Sequence, residues 1–129
     1  MRAALLVAIL AATSPALAFE PHGVNQAQEK AIQDGVKESL KDPDSAKFKG
    51  LLAIKHVEGA DIACGLVNAK NSFGGYGGFT PFHGLLLTYK SKAGQTAGYG
   101  FSIVTVGGGR LSAQSVYDWC VKDGIHLPG

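Results

Sequence analysis

Cys64-Gly65-Leu66-Val67-Asn68-Ala69-Lys70-Asn71-Ser72-Phe73-Gly74-Gly75-Tyr76-Gly77-Gly78-Phe79-Thr80-Pro81-Phe82 begins as a strand and ends as a loop in which glycines alternate with aromatic rings. The strand is predicted over Ile62 to Lys70. Side chains alternate faces along a strand, so Cys64, Leu66, Asn68 and Lys70 share one face. Ala63, Gly65, Val67 and Ala69 share the other, and their small size suits close packing of another layer. Glycine is used where the backbone needs a positive φ or close approach to another group. Two glycine pairs around a tyrosine, with a phenylalanine on each side, therefore mark a folded aromatic loop or a binding surface.

Working outward, Glu58-Gly59-Ala60-Asp61 reads as a hairpin connection. Lys47 to Val57 reads as the preceding strand, with Phe48, Leu52 and Ile54 on one parity and Lys47, Lys49 and Lys55 on the other. Leu51 and Ala53 interrupt that alternation. Downstream, Gly84 to Lys90 is predicted as a third strand. The polar turn Ser91 to Gln95 leads to a fourth strand from Gly98 to Val106. There Tyr99, Phe101, Ile103 and Thr105 alternate against Ser102, Val104 and Val106.

Helical spacing appears at both flanks. Val24, Ala27, Ala31, Ile32, Val36 and Leu40 form an apolar stripe, predicting an amphipathic helix from Asn25 to Leu40. Asn25 is the expected N-cap, with Gln28 in the capping-box position. Gly35 weakens this helix by about 1 kcal/mol relative to alanine, and Pro43 ends it. Ser112 to Val121 predicts a short second helix with Val116, Trp119 and Cys120 at helical spacing, followed by an irregular tail from Lys122. The expected class is α+β: an N-terminal helix, an antiparallel sheet of about four strands covered on one face, and a short C-terminal helix.

The first 18 residues carry the marks of a secretory leader. Arg2 supplies the charged start, Ala3 to Ala12 the apolar stretch, and Ala16-Leu17-Ala18 the cleavage pattern. The apolar stretch is too short to span a bilayer. The expectation is a signal peptide over residues 1–18, cut after Ala18, and a single domain over residues 19–129 in the periplasm or outside the cell. No cysteine stands at the cleavage point to carry a lipid, and no later segment is apolar enough to span a membrane. Removing Arg2 takes the basic count from 12 to 11, against 10 acidic residues. A net charge this close to zero argues against a nucleic-acid binder or a polybasic membrane-surface protein.

The two cysteines, Cys64 and Cys120, form an even number in an exported chain, which points to a disulfide. Two free thiols are the alternative. The chain-entropy model assigns such a long closure about 4 kcal/mol.

Little in the chain carries covalent chemistry. The loop lacks the Gly-Lys-Ser/Thr ending of a phosphate loop, and its strand feeds no βαβ unit for a dinucleotide. There is no G-x-S-x-G elbow. Asp118 and Asp123 form the nearest thing to a carboxylate pair, without a catalytic context. None of His22, His56, His83 and His126 falls at a metal-ligand spacing. The reading is non-enzymatic, without metal or cofactor. Two roles are open for the rings Phe73, Tyr76, Phe79 and Phe82. They stack on sugars or fill pockets of a partner, or they turn inward as core volume. Tyr76, with glycine on both sides, is the ring expected to project. Asn68, Lys70 and Asn71 either orient a ligand beside the rings or hydrogen-bond the loop backbone. His83 follows directly and is the histidine of interest.

Two stretches together carry a resemblance. These are Leu40-Lys41-Asp42-Pro43-Asp44-Ser45-Ala46-Lys47-Phe48, and Cys64-Gly65-Leu66-Val67-Asn68-Ala69-Lys70-Asn71 with Gly74-Gly75-Tyr76-Gly77-Gly78-Phe79 and Phe82. They resemble small exported proteins and lipoproteins of Gram-negative bacteria that carry an L-x-D-P-x-S-A-K-F segment before a C-G-x-V-N-A-K-N-x-x-G-G-Y-x-G-F-x-x-F segment, a group of unsettled function. The resemblance covers roughly residues 36–90 and implies a bacterial envelope protein. The expected function is a small binding module whose loop contacts an envelope protein or a glycan, and not a nucleic acid. The alternatives are a proteinaceous inhibitor of a periplasmic hydrolase such as lysozyme, or a structural accessory of an envelope assembly.

Overall fold

A computed structural model describes residues 8–9, 11 and 19–128. The expected leader, residues 1–18 with its cleavage point at Ala18, lies outside the described residues apart from those three positions.

The chain runs α1 (Gln26–Lys37), a single 3-10 turn (Pro43–Ser45), β1 (Lys47–Val57), β2 (Ala60–Asn68), β3 (Thr80–Lys90), β4 (Thr96–Val106) and α2 (Ala113–Lys122). The four strands form one antiparallel sheet in sequence order. Among the described residues no helix is long and apolar enough to cross a membrane. Helix α1 starts as its sequence dictates: the Asn25 side chain accepts from the Gln28 N–H, and the Gln28 side chain accepts from the Asn25 N–H. On its outer face Lys30 Nζ donates to Asp34 Oδ2 at 2.6 Å, which holds the Asp34 carboxyl below its ordinary value.

Both faces of the sheet carry a helix, where one covered face was expected. On one face Ile32 and Val36 of α1 pack with Ala53, Ala63, Val67, Phe82 and Leu86. On the other, Cys120 of α2 and the tail residues Ile125 and Leu127 pack with Ile54, Ile62, Cys64 and Leu66. The Cys64–Cys120 disulfide ties α2 to β2 across 56 residues. The tail after α2 is irregular in backbone, as expected, yet Ile125 and Leu127 are buried and complete the second core.

Two β-bulges explain where the expected strand parities fail. Between the pairs Lys49↔Leu66 and Leu52↔Cys64, two residues of β1, Gly50 and Leu51, oppose Gly65 alone. Gly50 has φ +67°, a left-handed conformation that glycine adopts without steric cost. The extra residue reverses the alternation: Phe48 joins the α1 face, whereas Leu52 and Ile54 lie on the α2 face. Between His83↔Thr105 and Leu85↔Ser102, Ile103 and Val104 of β4 likewise oppose Gly84. Tyr99, Phe101, Val104 and Val106 therefore all face α1, and Ile103 is left exposed with φ +54°.

The helix α1 reaches the sheet at Gly35. A Cβ built there would lie 2.8 Å from Phe101 Cβ and 2.9 Å from the Phe101 carbonyl oxygen. Helix propensity alone says that Gly35→Ala stabilises by about 1 kcal/mol. The contact reverses the sign, because the clash is with backbone and a side-chain root that cannot step aside. We expect Gly35→Ala to destabilise the protein by about 1–3 kcal/mol, as overpacking does. Urea unfolding of the two proteins decides between the signs.

Candidate functional site

The connection between β2 and β3 is a lobe of residues 69–79 standing at one end of the sheet. It is shorter than the sequence suggested, because Thr80 to His83 already belong to β3. Its inner half is a small hairpin. Lys70 and Tyr76 form a bridge, the Asn71 N–H donates to the Gly75 carbonyl at 2.9 Å, and the Gly74 N–H returns to the Asn71 carbonyl at 3.0 Å. The Asn71 side-chain oxygen accepts from the N–H groups of Phe73 (2.9 Å) and Gly75 (3.2 Å). The Asn68 side-chain oxygen accepts from the Gly78 N–H at 3.2 Å. Both asparagines thus fasten the loop backbone, as this residue type does in turns.

The lobe rests on the turn before β1. Ser45 Oγ accepts from the Lys70 N–H at 2.8 Å and donates to the Asp42 carbonyl at 2.7 Å. The Tyr76 hydroxyl donates to the Ser45 carbonyl at 2.9 Å. The two sequence segments that carry the resemblance therefore meet in space, with Ser45 as the joint.

Four rings were candidates for contact, and their placements differ. Phe82 is fully buried, so it is a core residue and not a contact residue. Tyr76 is 41% and Phe79 42% exposed. Tyr76 is tied down by its hydroxyl, so it is not the projecting ring. Phe73 is, at the hairpin tip and 98% exposed. Cations cover the two half-exposed rings. Lys47 Nζ lies 4.8 Å and Lys70 Nζ 5.9 Å from the Tyr76 ring centroid, and Lys49 Nζ 4.2 Å from that of Phe79. Such contacts are worth about 0.5–1 kcal/mol at exposed sites. An open groove of about 520 Å³ runs beside the lobe, lined among others by Lys41, Val67, Lys70, Phe79 and Val106.

His83 does not join this surface. It points to the α2 face, where its Nε2 stands 2.7 Å from Asp123 Oδ2 and its ring meets Trp119 edge-on at 5.7 Å. The site that emerges is Phe73, Tyr76 and Phe79 with Lys47, Lys49 and Lys70. In the sequence Lys47 and Lys49 read only as the polar parity of the first strand. The signal that could have added them is their spacing of two, which puts both on one face at the end of β1 nearest the lobe. Among the described residues, no group of three or more His, Cys, Asp or Glu stands together as a metal site would require. No family model, curated protein or solved structure matches this chain.

Proposed function

We propose that this protein is an exported, non-enzymatic binding module of the bacterial envelope, with the lobe of residues 69–79 as its contact surface. The observation that carries this is Phe73, a whole aromatic ring held out in solvent on a hairpin whose backbone is fastened at three points. Folding alone gives no reason for that arrangement. An apolar ring in water contributes nothing to the core, and fastening the backbone around it lowers the entropy cost of a later contact. Aromatic residues so placed are the usual energetic anchors of interfaces.

The test is capture of partners from a periplasmic extract. Phe73→Ala, and separately Tyr76→Ala with Phe79→Ala, are expected to lower capture at least tenfold while the circular dichroism spectrum stays that of the parent. Capture that survives both changes in a folded protein sinks the proposal.

The pre-fastened hairpin also favours a second function, inhibition of a periplasmic hydrolase by insertion of the loop into its cleft. That function predicts direct inhibition of the purified enzyme, lost with Phe73→Ala.

A further inference from the structure

The charge around Phe73 is not that of the chain as a whole. Between Asp61 and Asp118 the sequence holds Lys70, Lys90, Lys92 and Arg110 and not a single acidic residue. The lobe, including its projecting tip, falls entirely within this stretch. Lys47 and Lys49 add two cations from β1. Among the described residues, the contacts of basic side chains with carboxylates are made by His22, Lys30 and His83, and by none of Lys47, Lys49 and Lys70. These three ammonium groups rest against aromatic rings, which places them without neutralising them. The turn below brings Asp42 and Asp44, and neither is in ion-pair contact with a lysine of the collar.

An apolar tip on a lobe whose other rings are covered by three lysines outside any ion-pair contact has a specific complement. A bilayer interface with anionic headgroups accepts aromatic side chains at headgroup depth and attracts the cations one layer further out. Neither signal is sufficient alone, and stable attachment needs two. A soluble polyanion would use the lysines and leave Phe73 in water. An acidic protein patch would need a pocket for the ring.

Resting on the contact lobe argued above, we propose that its partner is an anionic lipid surface, with Phe73 inserted at the interface and Lys47, Lys49 and Lys70 on the headgroups. The near-neutral overall balance averages over the stretch before β1, where residues 19–46 hold six acidic side chains and three lysines.

The experiment uses the oxidised chain from Phe19, which carries every element of the fold, and sedimentation with vesicles. Vesicles of phosphatidylcholine with about one third phosphatidylglycerol should bind it, and pure phosphatidylcholine should not. Phe73→Ala should lower the partition coefficient about tenfold or more, from the loss of one buried apolar side chain. Lys47→Gln and Lys49→Gln should each lower it about fivefold and flatten its dependence on salt. A Phe73→Trp reporter in a Trp119→Phe background should shift its emission to the blue with anionic vesicles and stay unchanged with dextran sulfate. Absence of sedimentation, or sedimentation indifferent to Phe73→Ala with an unmoved reporter, overturns the lipid assignment. If vesicles fail but loop-dependent capture of an envelope protein is found, the lobe stands as a contact surface and the lipid assignment falls. If neither vesicle binding nor capture depends on the lobe, both fall.

Discussion

Replacing Phe82 by alanine is expected to cost about 4–5 kcal/mol, the upper part of the range for a buried phenylalanine. The ring is wholly shielded from solvent and meets two others edge-on, Phe48 at 6.1 Å and Phe101 at 6.0 Å. Edge-to-face pairs add about 0.5–1.5 kcal/mol beyond area burial, and this substitution removes two of them. The site also resists collapse. Phe82 lies over its cross-strand partner Gly65, where an added Cβ would come within 2.6 Å of the ring. Gly65 has no side chain to move into the space, and Leu51, Phe48 and Phe101 around it fill it only in part, so a cavity stays open. Urea unfolding measures the loss. A cost below about 1.5 kcal/mol, the range of tolerated hydrophobic swaps, would mean that the ring is peripheral to the packing.

The same socket shows which parts of the fold the sequence makes legible. Element type and order follow from local signals: the capping box at Asn25 and Gln28, the stripe through Ile32 and Val36, and the alternation within Ile62 to Lys70. Each is decided by near neighbours in the chain. The misjudged features are those decided by distant ones. Gly35 looks like a weak point locally, yet it receives the backbone of β4, while Gly65, whose small size did announce close packing, and Gly84 receive rings whose identity nothing local announces. Phe101 covers Gly84 and abuts Gly35, a relation no periodicity can announce. The start of β3 was hidden by Pro81, since proline argues against a strand interior. It is tolerated there because β4 pairs with β3 only from Phe82 onward, and the Pro81 carbonyl accepts instead from the Gly107 N–H. In the candidate site, the fastening roles of Asn68 and Asn71 were visible from residue type. The inward turn of Phe82 and the outward reach of Phe73 were not, because glycine–aromatic alternation has no period that assigns a face.

Changing both Cys64 and Cys120 to alanine is expected to remove about 2–4 kcal/mol, and the loss should be uneven across the molecule. The bridge closes a separation of 56 residues, for which loop-closure entropy gives about 4 kcal/mol, with measured values often lower. Both sulfurs sit within the second core, so the change also thins the packing around Ile54, Ile62 and Ile125. What then holds α2 is a small set of contacts: Val116 in the interior, the Tyr117 hydroxyl on the Leu127 carbonyl at 2.8 Å, and the His83–Asp123 contact at 2.7 Å. The lobe of residues 69–79 depends on none of these. Its fastenings run to Ser45 in the turn before β1, to Asn68 at the end of β2 and to Asn71 within the lobe itself. Hydrogen exchange should therefore show α2 and the tail through Leu127 losing protection first, with the Phe73 and Gly75 amides keeping theirs relative to global unfolding. The binding proposed for the lobe should then survive in the folded fraction of the reduced or cysteine-free protein. If the Phe73 and Gly75 amides open together with α2, the disulfide is part of what holds the contact surface, and redox state would control binding as well as stability.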